Sequence, residues 1–183
     1  MDNGTDSYHR FLNGDKEGMV QIILNYKDGL TLYLCKITNN ISLAEELMED
    51  TFVQLYVKKP RFSGKSSFRT WLYAIGRNLT LNTLRRRKWI SDRSVEEYTD
   101  FSNQEDIEKL YIRKEQNTHV YRTMRKLRSE YRQVLYLVFF EEFSNEETAQ
   151  IMHKSKRQIE MLIYRAKKSL RLELEKEGFS YEE

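Results

Sequence analysis

The sequence is poor in the residues that break helices and in those that cross-link chains. Its 183 residues include one proline, seven glycines and one cysteine. An all-β fold needs many tight turns, which draw on proline and glycine, so the composition disfavours that class. The single cysteine, Cys35, excludes a disulfide within the chain. Its apolar neighbours Leu34 and Ile37 favour a small core residue over a catalytic thiol.

Long hydrophobic runs and the motifs of enzymes are missing as well. No apolar run approaches the roughly 20 residues of a membrane span, and residues 1–4 do not open a signal peptide. We therefore expect a cytoplasmic protein with no direct membrane insertion. The sequence has no phosphate loop, no metal-ligand spacing and no paired Ser/His/Asp pattern, so it predicts no enzyme, no cofactor and no metal site.

Charge is distributed unevenly, although the formal net charge is only +3. Residues 61–93 carry nine bases and one acid, and residues 154–171 carry seven bases and one acid. Between them, residues 92–117 carry eight acids and four bases. Two basic segments separated by an acidic one are typical of a polyanion contacted at two places, although either run alone could be a solvated surface.

Hydrophobic periodicity predicts an all-α chain made of two small helical domains joined by a linker. We expect domains over residues 1–90 and 118–183, with an acidic linker over residues 91–117. About the first twelve residues are predicted to be a frayed tail.

Within the first domain, helices are predicted over residues 16–26 and 30–37. A capping box at Ser42–Glu45 is predicted to start the next helix. After a loop over residues 61–67, a long helix follows with Ser66 or Ser67 as its N-cap.

The C-terminal segment has the layout of a helix-turn-helix. Capping boxes at Ser144–Glu147 and Ser155–Gln158 start two helices that are joined by a turn of about three residues. The second helix has one apolar face for packing and one basic face that suits a DNA groove. A plain helical hairpin with solvated lysines is the alternative.

These residues resemble two regions of a known family. Residues 131–135 (YRQVL), 143–149 (FSNEETA) and 164–170 (YRAKKSL) are similar to region 4 of bacterial sigma factors. Residues 44–52 (AEELMEDTF), 68–78 (FRTWLYAIGRN) and 85–88 (RRRK) are similar to region 2. With both regions in order and no domain between them, the chain resembles the extracytoplasmic-function type of the sigma-70 family.

The resemblance implies a sigma factor that binds core RNA polymerase, through its clamp and flap, and promoter DNA, with an anti-sigma factor as a further partner. The implied clamp contact is an acidic helix: Glu45, Glu46, Glu49 and Asp50. The implied recognition of the melted −10 element lies in the basic region: Arg61, Phe62, Lys65, Tyr73, Arg77, Asn78, Asn82, Arg85 and Arg86. The implied recognition of the −35 duplex lies on the last helix: Lys154, Ser155, Lys156, Arg157, Glu160, Met161 and Arg165.

Other interpretations stay open at this point. A stand-alone helix-turn-helix transcriptional regulator would bind a duplex operator unaided, and a helical protein-binding adaptor would bind no DNA. Trp71 lies on the apolar stripe and is predicted to be core, whereas Trp89 is the better candidate to stack on a base. His153 stands in the turn where glycine is common in the family, so a left-handed residue at this position would carry some strain.

Overall fold

Every regular element that the computed structural model describes, over residues 3–91 and 118–178, is an α-helix, which confirms the all-α prediction. The helices are α1 (Asn3–Leu12), α2 (Lys16–Thr38), α3 (Ile41–Lys58), α4 (Phe68–Ser91), α5 (Thr118–Met124), α6 (Ser129–Phe139), α7 (Asn145–Met152) and α8 (Lys156–Lys176). We call α1–α4 the N-terminal bundle and α5–α8 the C-terminal unit. The predicted acidic linker lies, except for Ser91, outside the described residues.

The prediction of a frayed N-terminal tail was wrong, because α1 packs on the bundle. Tyr8 and Phe11 are 0% and 3% exposed, and the Tyr8 hydroxyl donates a hydrogen bond of 2.7 Å to the carbonyl of Pro60. The Tyr8 ring also contacts those of Phe68 and Trp71, with centroids 5.5 and 5.3 Å apart. Two aromatic residues three positions apart lie on one helical face, which is why this short segment can bury itself.

The two helices predicted over 16–26 and 30–37 form one continuous helix, α2. It ends where Asn39 adopts a left-handed conformation (φ 55°), which asparagine tolerates better than most residues. Asn40 then caps α3 by accepting a hydrogen bond of 2.9 Å from the backbone N–H of Leu43. The predicted capping box at Ser42 was therefore wrong, because Ser42 lies inside the helix.

The long basic helix follows its prediction closely. Ser67 is the serine that caps α4, since its Oγ accepts a hydrogen bond of 3.1 Å from the N–H of Thr70. Phe68 and Leu72 are fully buried, and Trp71 packs partly buried against the core, as predicted. Cys35 is also confirmed as a core residue, 5% exposed, and burial raises the pKa of its thiol.

The two halves pack against each other in this structure, α2 against α6 and α4 against α7. At the end of α2, the backbone carbonyl of Lys36 accepts a hydrogen bond of 2.9 Å from the Arg132 guanidinium. Cationic donors at a helix C-terminus complement the partial negative charge of its last carbonyls. The Lys36 side chain itself lies over the rings of Tyr121 and Tyr136 in the C-terminal unit.

Candidate nucleic-acid interface

A helix-turn-helix is formed by α7 and α8, and its start signals are those predicted from sequence. The Ser144 and Ser155 capping boxes are both present, with reciprocal bonds to Glu147 and Gln158. Between the helices, His153 has a φ of 53° and is therefore left-handed, the conformation in which a residue other than glycine carries strain. A left-handed non-glycine residue costs about 1 kcal/mol, and here the His153 backbone N–H is used to cap α7.

The start of α8 presents a basic surface to solvent. Lys154 is half-buried, whereas the other residues predicted to bind the −35 duplex are exposed: Ser155, Lys156, Arg157, Glu160, Met161 and Arg165. Ion pairs join Lys154 to Glu130 (2.9 Å) and Lys156 to Glu146 (2.5 Å). Most of the predicted set lines a groove of about 390 Å³, together with Glu130, Gln158 and Leu162.

The residues predicted for the −10 element do not share one open surface. Six are exposed or, for Phe62, partly buried: Arg61, Phe62, Lys65, Asn82, Arg85 and Arg86. Three face the C-terminal unit: Tyr73, Arg77 and Asn78. The structure thus divides the predicted surface into an accessible part and a covered part.

The covered part is matched side chain by side chain by the C-terminal unit. Arg77 is 8% exposed and donates a hydrogen bond of 3.0 Å to Gln133 Oε1. Tyr73 is 1% exposed, and its hydroxyl donates a bond of 2.9 Å to Glu141 Oε2. Burial raises the pKa of the Tyr73 hydroxyl well above its ordinary value, and the Glu141 carboxylate adds to this effect.

Asn78 stays exposed but belongs to the same contact. Its Oδ1 lies 2.9 Å from Nε2 of His153 in the helix-turn-helix turn.

Sequence reasoning missed the residues that build this interface. The most informative are Arg69, Thr70, Gln133, Glu141 and Glu147. Arg69 pairs with Glu141, and Thr70 donates to Glu147 at 3.1 Å. Glu141 lies between two helices, where no periodicity marks it, so no sequence signal could have found it.

The predicted clamp contact is a solvent-facing stripe of α3. All four of its acids are exposed: Glu45, Glu46, Glu49 and Asp50. Val53 and Val57, which are 57% and 71% exposed, continue the stripe at helical spacing. Neither valine was predicted to belong to this surface, although the helical spacing of both from Asp50 is a signal that the sequence carries.

Other kinds of site find no support in the described part of the chain. Within residues 3–91 and 118–178, no group of three or more His, Cys, Asp or Glu residues could hold a metal ion. No helix in those ranges is both long and apolar enough to cross a bilayer.

The fold and the exposed basic face of α8 define a two-part helical protein with a C-terminal helix-turn-helix. The family model for Sigma-70 region 2 matches residues 22–90, and the model for Sigma-70, region 4 matches residues 119–170. The chain belongs to the sigma-70 family of RNA polymerase sigma factors, in the extracytoplasmic-function (ECF) group. The region 2 match falls on helices α2–α4, and the region 4 match falls on helices α5–α8.

Two relatives from Bacillus subtilis (strain 168) cover nearly the whole chain. The ECF RNA polymerase sigma factor SigW is 26% identical over 88% of this chain and 91% of its own length. The RNA polymerase sigma factor YlaC is 29% identical over 88% of this chain and 92% of its own length.

Two solved structures share the fold. The sigma factor RpoE of Bartonella quintana, in complex with the anti-sigma factor NepR, superposes with a TM-score of 0.68 at 20% identity, over 87% of this chain and 98% of that one. CnrH, in complex with the cytosolic domain of CnrY, gives a TM-score of 0.69 at 21% identity, over 95% and 98%. At this level of identity the likeness establishes the fold alone.

Proposed function

We propose that this chain binds core RNA polymerase in the cytoplasm and directs it to promoters, recognising the −35 element with region 4 and the melted −10 element with region 2. The observation that carries the proposal is the occurrence of both sigma regions in order, with the basic start of α8 exposed. In this proposal residues 1–90 and 118–183 are the two DNA-binding domains, and residues 91–117 tether them.

Charge complementarity supports the polymerase contact. The acidic stripe of α3 ends in an apolar patch at Val53 and Val57, and such a surface suits a basic helical partner with some apolar area. We propose that this stripe meets the polymerase clamp, while region 4 meets the flap.

The accessible cations support the −10 assignment, with a condition. Arg61, Lys65, Arg85 and Arg86 are free to approach a phosphate backbone, whereas Tyr73 and Arg77 are covered by region 4. Melted bases need aromatic and polar groups as well as charge. Full recognition therefore requires the two halves to separate, so we propose that the packed form is the one without promoter.

An anti-sigma factor is the proposed further partner. RpoE was solved with the anti-sigma factor NepR and CnrH with the cytosolic domain of CnrY, and this chain shares their fold along most of its length.

The decisive experiment is transcription from promoter fragments with purified core polymerase, with the start sites mapped. We expect initiation only when the chain and core polymerase are both present. A chain that binds duplex DNA tightly by itself and never recruits core polymerase would instead be a stand-alone regulator.

Arg157→Ala tests base recognition by region 4. Arg157 is exposed at the start of α8, where an arginine can contact guanine through two hydrogen bonds. We expect the variant holoenzyme to lose about 1–3 kcal/mol on its preferred −35 sequence and little on altered ones. Arg171→Ala is the matched control, because Arg171 lies on the same helix, four turns later, and pairs with Glu175. An equal loss on every sequence in the panel would make Arg157 a phosphate contact.

A further inference from the structure

Glu141 of region 4 is held in a cluster of donors that belong mostly to region 2. Its carboxylate pairs with the Arg69 guanidinium and accepts hydrogen bonds from the hydroxyls of Tyr73 (2.9 Å) and Tyr136 (2.8 Å). The Glu141 side chain is 13% exposed. A carboxylate buried to this degree must have strong donors around it.

The region 2 side of this cluster is shaped for an anion. Arg69 and Tyr73 lie one turn apart on α4, so that both donors point to one place. Gly29 of α2 lies opposite, where an added Cβ would come within 2.5 Å of the Tyr73 hydroxyl and 3.1–3.2 Å of the Glu141 carboxylate oxygens. Only glycine leaves room here for both groups.

We propose that Arg69 and Tyr73 form a seat for one backbone phosphate of the melted promoter strand, and that Glu141 occupies this seat while the two halves are packed together. The inference rests on the proposed function, because it assigns a ligand to region 2. A phosphodiester and a carboxylate both present oxygen acceptors with negative charge, and arginine pairs with either through two parallel bonds. Tyrosine hydroxyls also donate to phosphate oxygens.

Neighbouring contacts along the same face support the exchange. Arg77, one helical turn after Tyr73, donates a hydrogen bond to Gln133 of region 4. Thr70, which follows Arg69, donates one to Glu147. Region 4 thus supplies an acceptor oxygen to the side-chain donors of α4 along the face that we expect the DNA strand to follow. Separation of the halves removes these acceptors together, and leaves the arginines to the nucleic acid.

The test measures binding of a short fluorescein-labelled single-stranded DNA to the full chain by fluorescence anisotropy, without polymerase. Glu141→Gln keeps the shape of the side chain and removes its charge, so the packed form loses the ion pair between Glu141 and Arg69. We expect this variant to bind the oligonucleotide about tenfold more tightly, since a larger share of molecules is open. Glu142→Gln is the matched control, because the neighbouring side chain is exposed, and we expect it to bind like the natural chain.

A second measurement separates a phosphate seat from a merely structural arginine. In the Glu141→Gln background, adding Arg69→Gln should weaken binding and lower the slope of log affinity against log salt by about 0.7, the value for one phosphate of a single strand. Tyr73→Phe in the same background removes only a hydroxyl and should weaken binding without changing that slope. The radius of gyration from small-angle X-ray scattering reports whether each variant is open.

Three outcomes would overturn the inference. If Glu141→Gln neither opens the chain nor tightens binding, Glu141 does not hold the halves together. If it opens the chain and binding stays the same, or if Arg69→Gln leaves the salt slope unchanged, the cluster is no phosphate seat. Failure of the proposed function would be seen elsewhere, as a natural chain that does not initiate transcription with core polymerase.

Discussion

Lys36 offers a sharp test of the packing between the two halves, because region 4 buries it. Its side chain is 8% exposed, and its Nζ lies 5.2 and 5.3 Å from the ring centroids of Tyr136 and Tyr121. Burial lowers the pKa of the Lys36 ammonium to about 8 from its ordinary 10.5. Cys35 opposes this shift, and the nearby Arg132 and Arg125 add to it.

The sign of the pH effect follows from proton uptake. Between pH 8 and pH 10.5 the unfolded chain binds more protons at this lysine than the packed form does, so stability rises with pH across that window. At pH 7 the charged lysine costs roughly 3 kcal/mol, a net figure that already contains the attraction of the two tyrosine faces.

We expect Lys36→Met to raise the free energy of unfolding by about 3 kcal/mol at pH 7. The gain should shrink to roughly half at about pH 9.5, where the natural lysine is largely neutral in the packed form. Urea denaturation at both pH values measures it. Both measurements are made below pH 10, because burial also raises the pKa of Tyr33 and Tyr73. Above pH 10 the ionisation of these tyrosines in the unfolded chain would itself destabilise the folded protein.

Lys27→Met is the matched control, since Lys27 is exposed on the same helix. It should change stability by no more than about 0.5 kcal/mol, independent of pH. If Lys36→Met behaves like this control, or if its gain does not depend on pH, region 4 does not pack over α2 in solution.

Two further predictions test which serines act as N-caps and whether α1 packs on the N-terminal bundle. Ser144→Ala should lower the free energy of unfolding, measured by urea denaturation, by about 1 kcal/mol. Ser42→Ala should be neutral or slightly stabilising, because Ser42 lies inside α3 and alanine is the better helix former. An equal loss in both variants would mean that Ser42 is an N-cap after all. Tyr8→Ala should cost about 3 kcal/mol, as expected for a fully buried aromatic side chain, whereas Leu12→Ala at the exposed end of α1 should cost little; a neutral Tyr8→Ala would mean that α1 is a frayed tail after all.

Local signals in the sequence predicted most of the fold. The capping boxes at Ser144 and Ser155 and the stripe of α4 are short-range patterns, which depend on residues at most one or two turns apart. The errors had local causes too. Asn40 and Ser42 are both good N-caps, and only the conformation of Asn39 decides between them. The apolar pattern of Tyr8 and Phe11 was too short to predict a packed helix against the general expectation that chain ends fray.

The candidate site was predictable only in part, because half of it depends on contacts between distant segments. Exposure along α8 follows from one helix's amphipathic pattern, so Arg157 and Arg165 could be placed from sequence. The cover over Tyr73 and Arg77 comes from Gln133 and Glu141, which lie more than fifty residues away along the chain. A stripe of polar residues in the sequence does not reveal whether their hydrogen-bond partners will be water, nucleic acid or another part of the same protein.

The chemistry of the interface explains how one surface can serve two partners. The donors Arg69, Thr70 and Arg77 of α4 meet region 4 through an amide and two partly buried carboxylates. An apolar interface would lose its stabilisation on opening, because exposed apolar surface cannot be satisfied by water. Polar donors lose much less when water or a phosphate replaces the acceptor, since one set of hydrogen bonds is exchanged for another. A nucleic acid strand can therefore replace the polar contacts of α4. The aromatic packing of Phe143 on Tyr73 and of region 4 over Lys36 has no such substitute, so it is the part of the interface that favours the packed form.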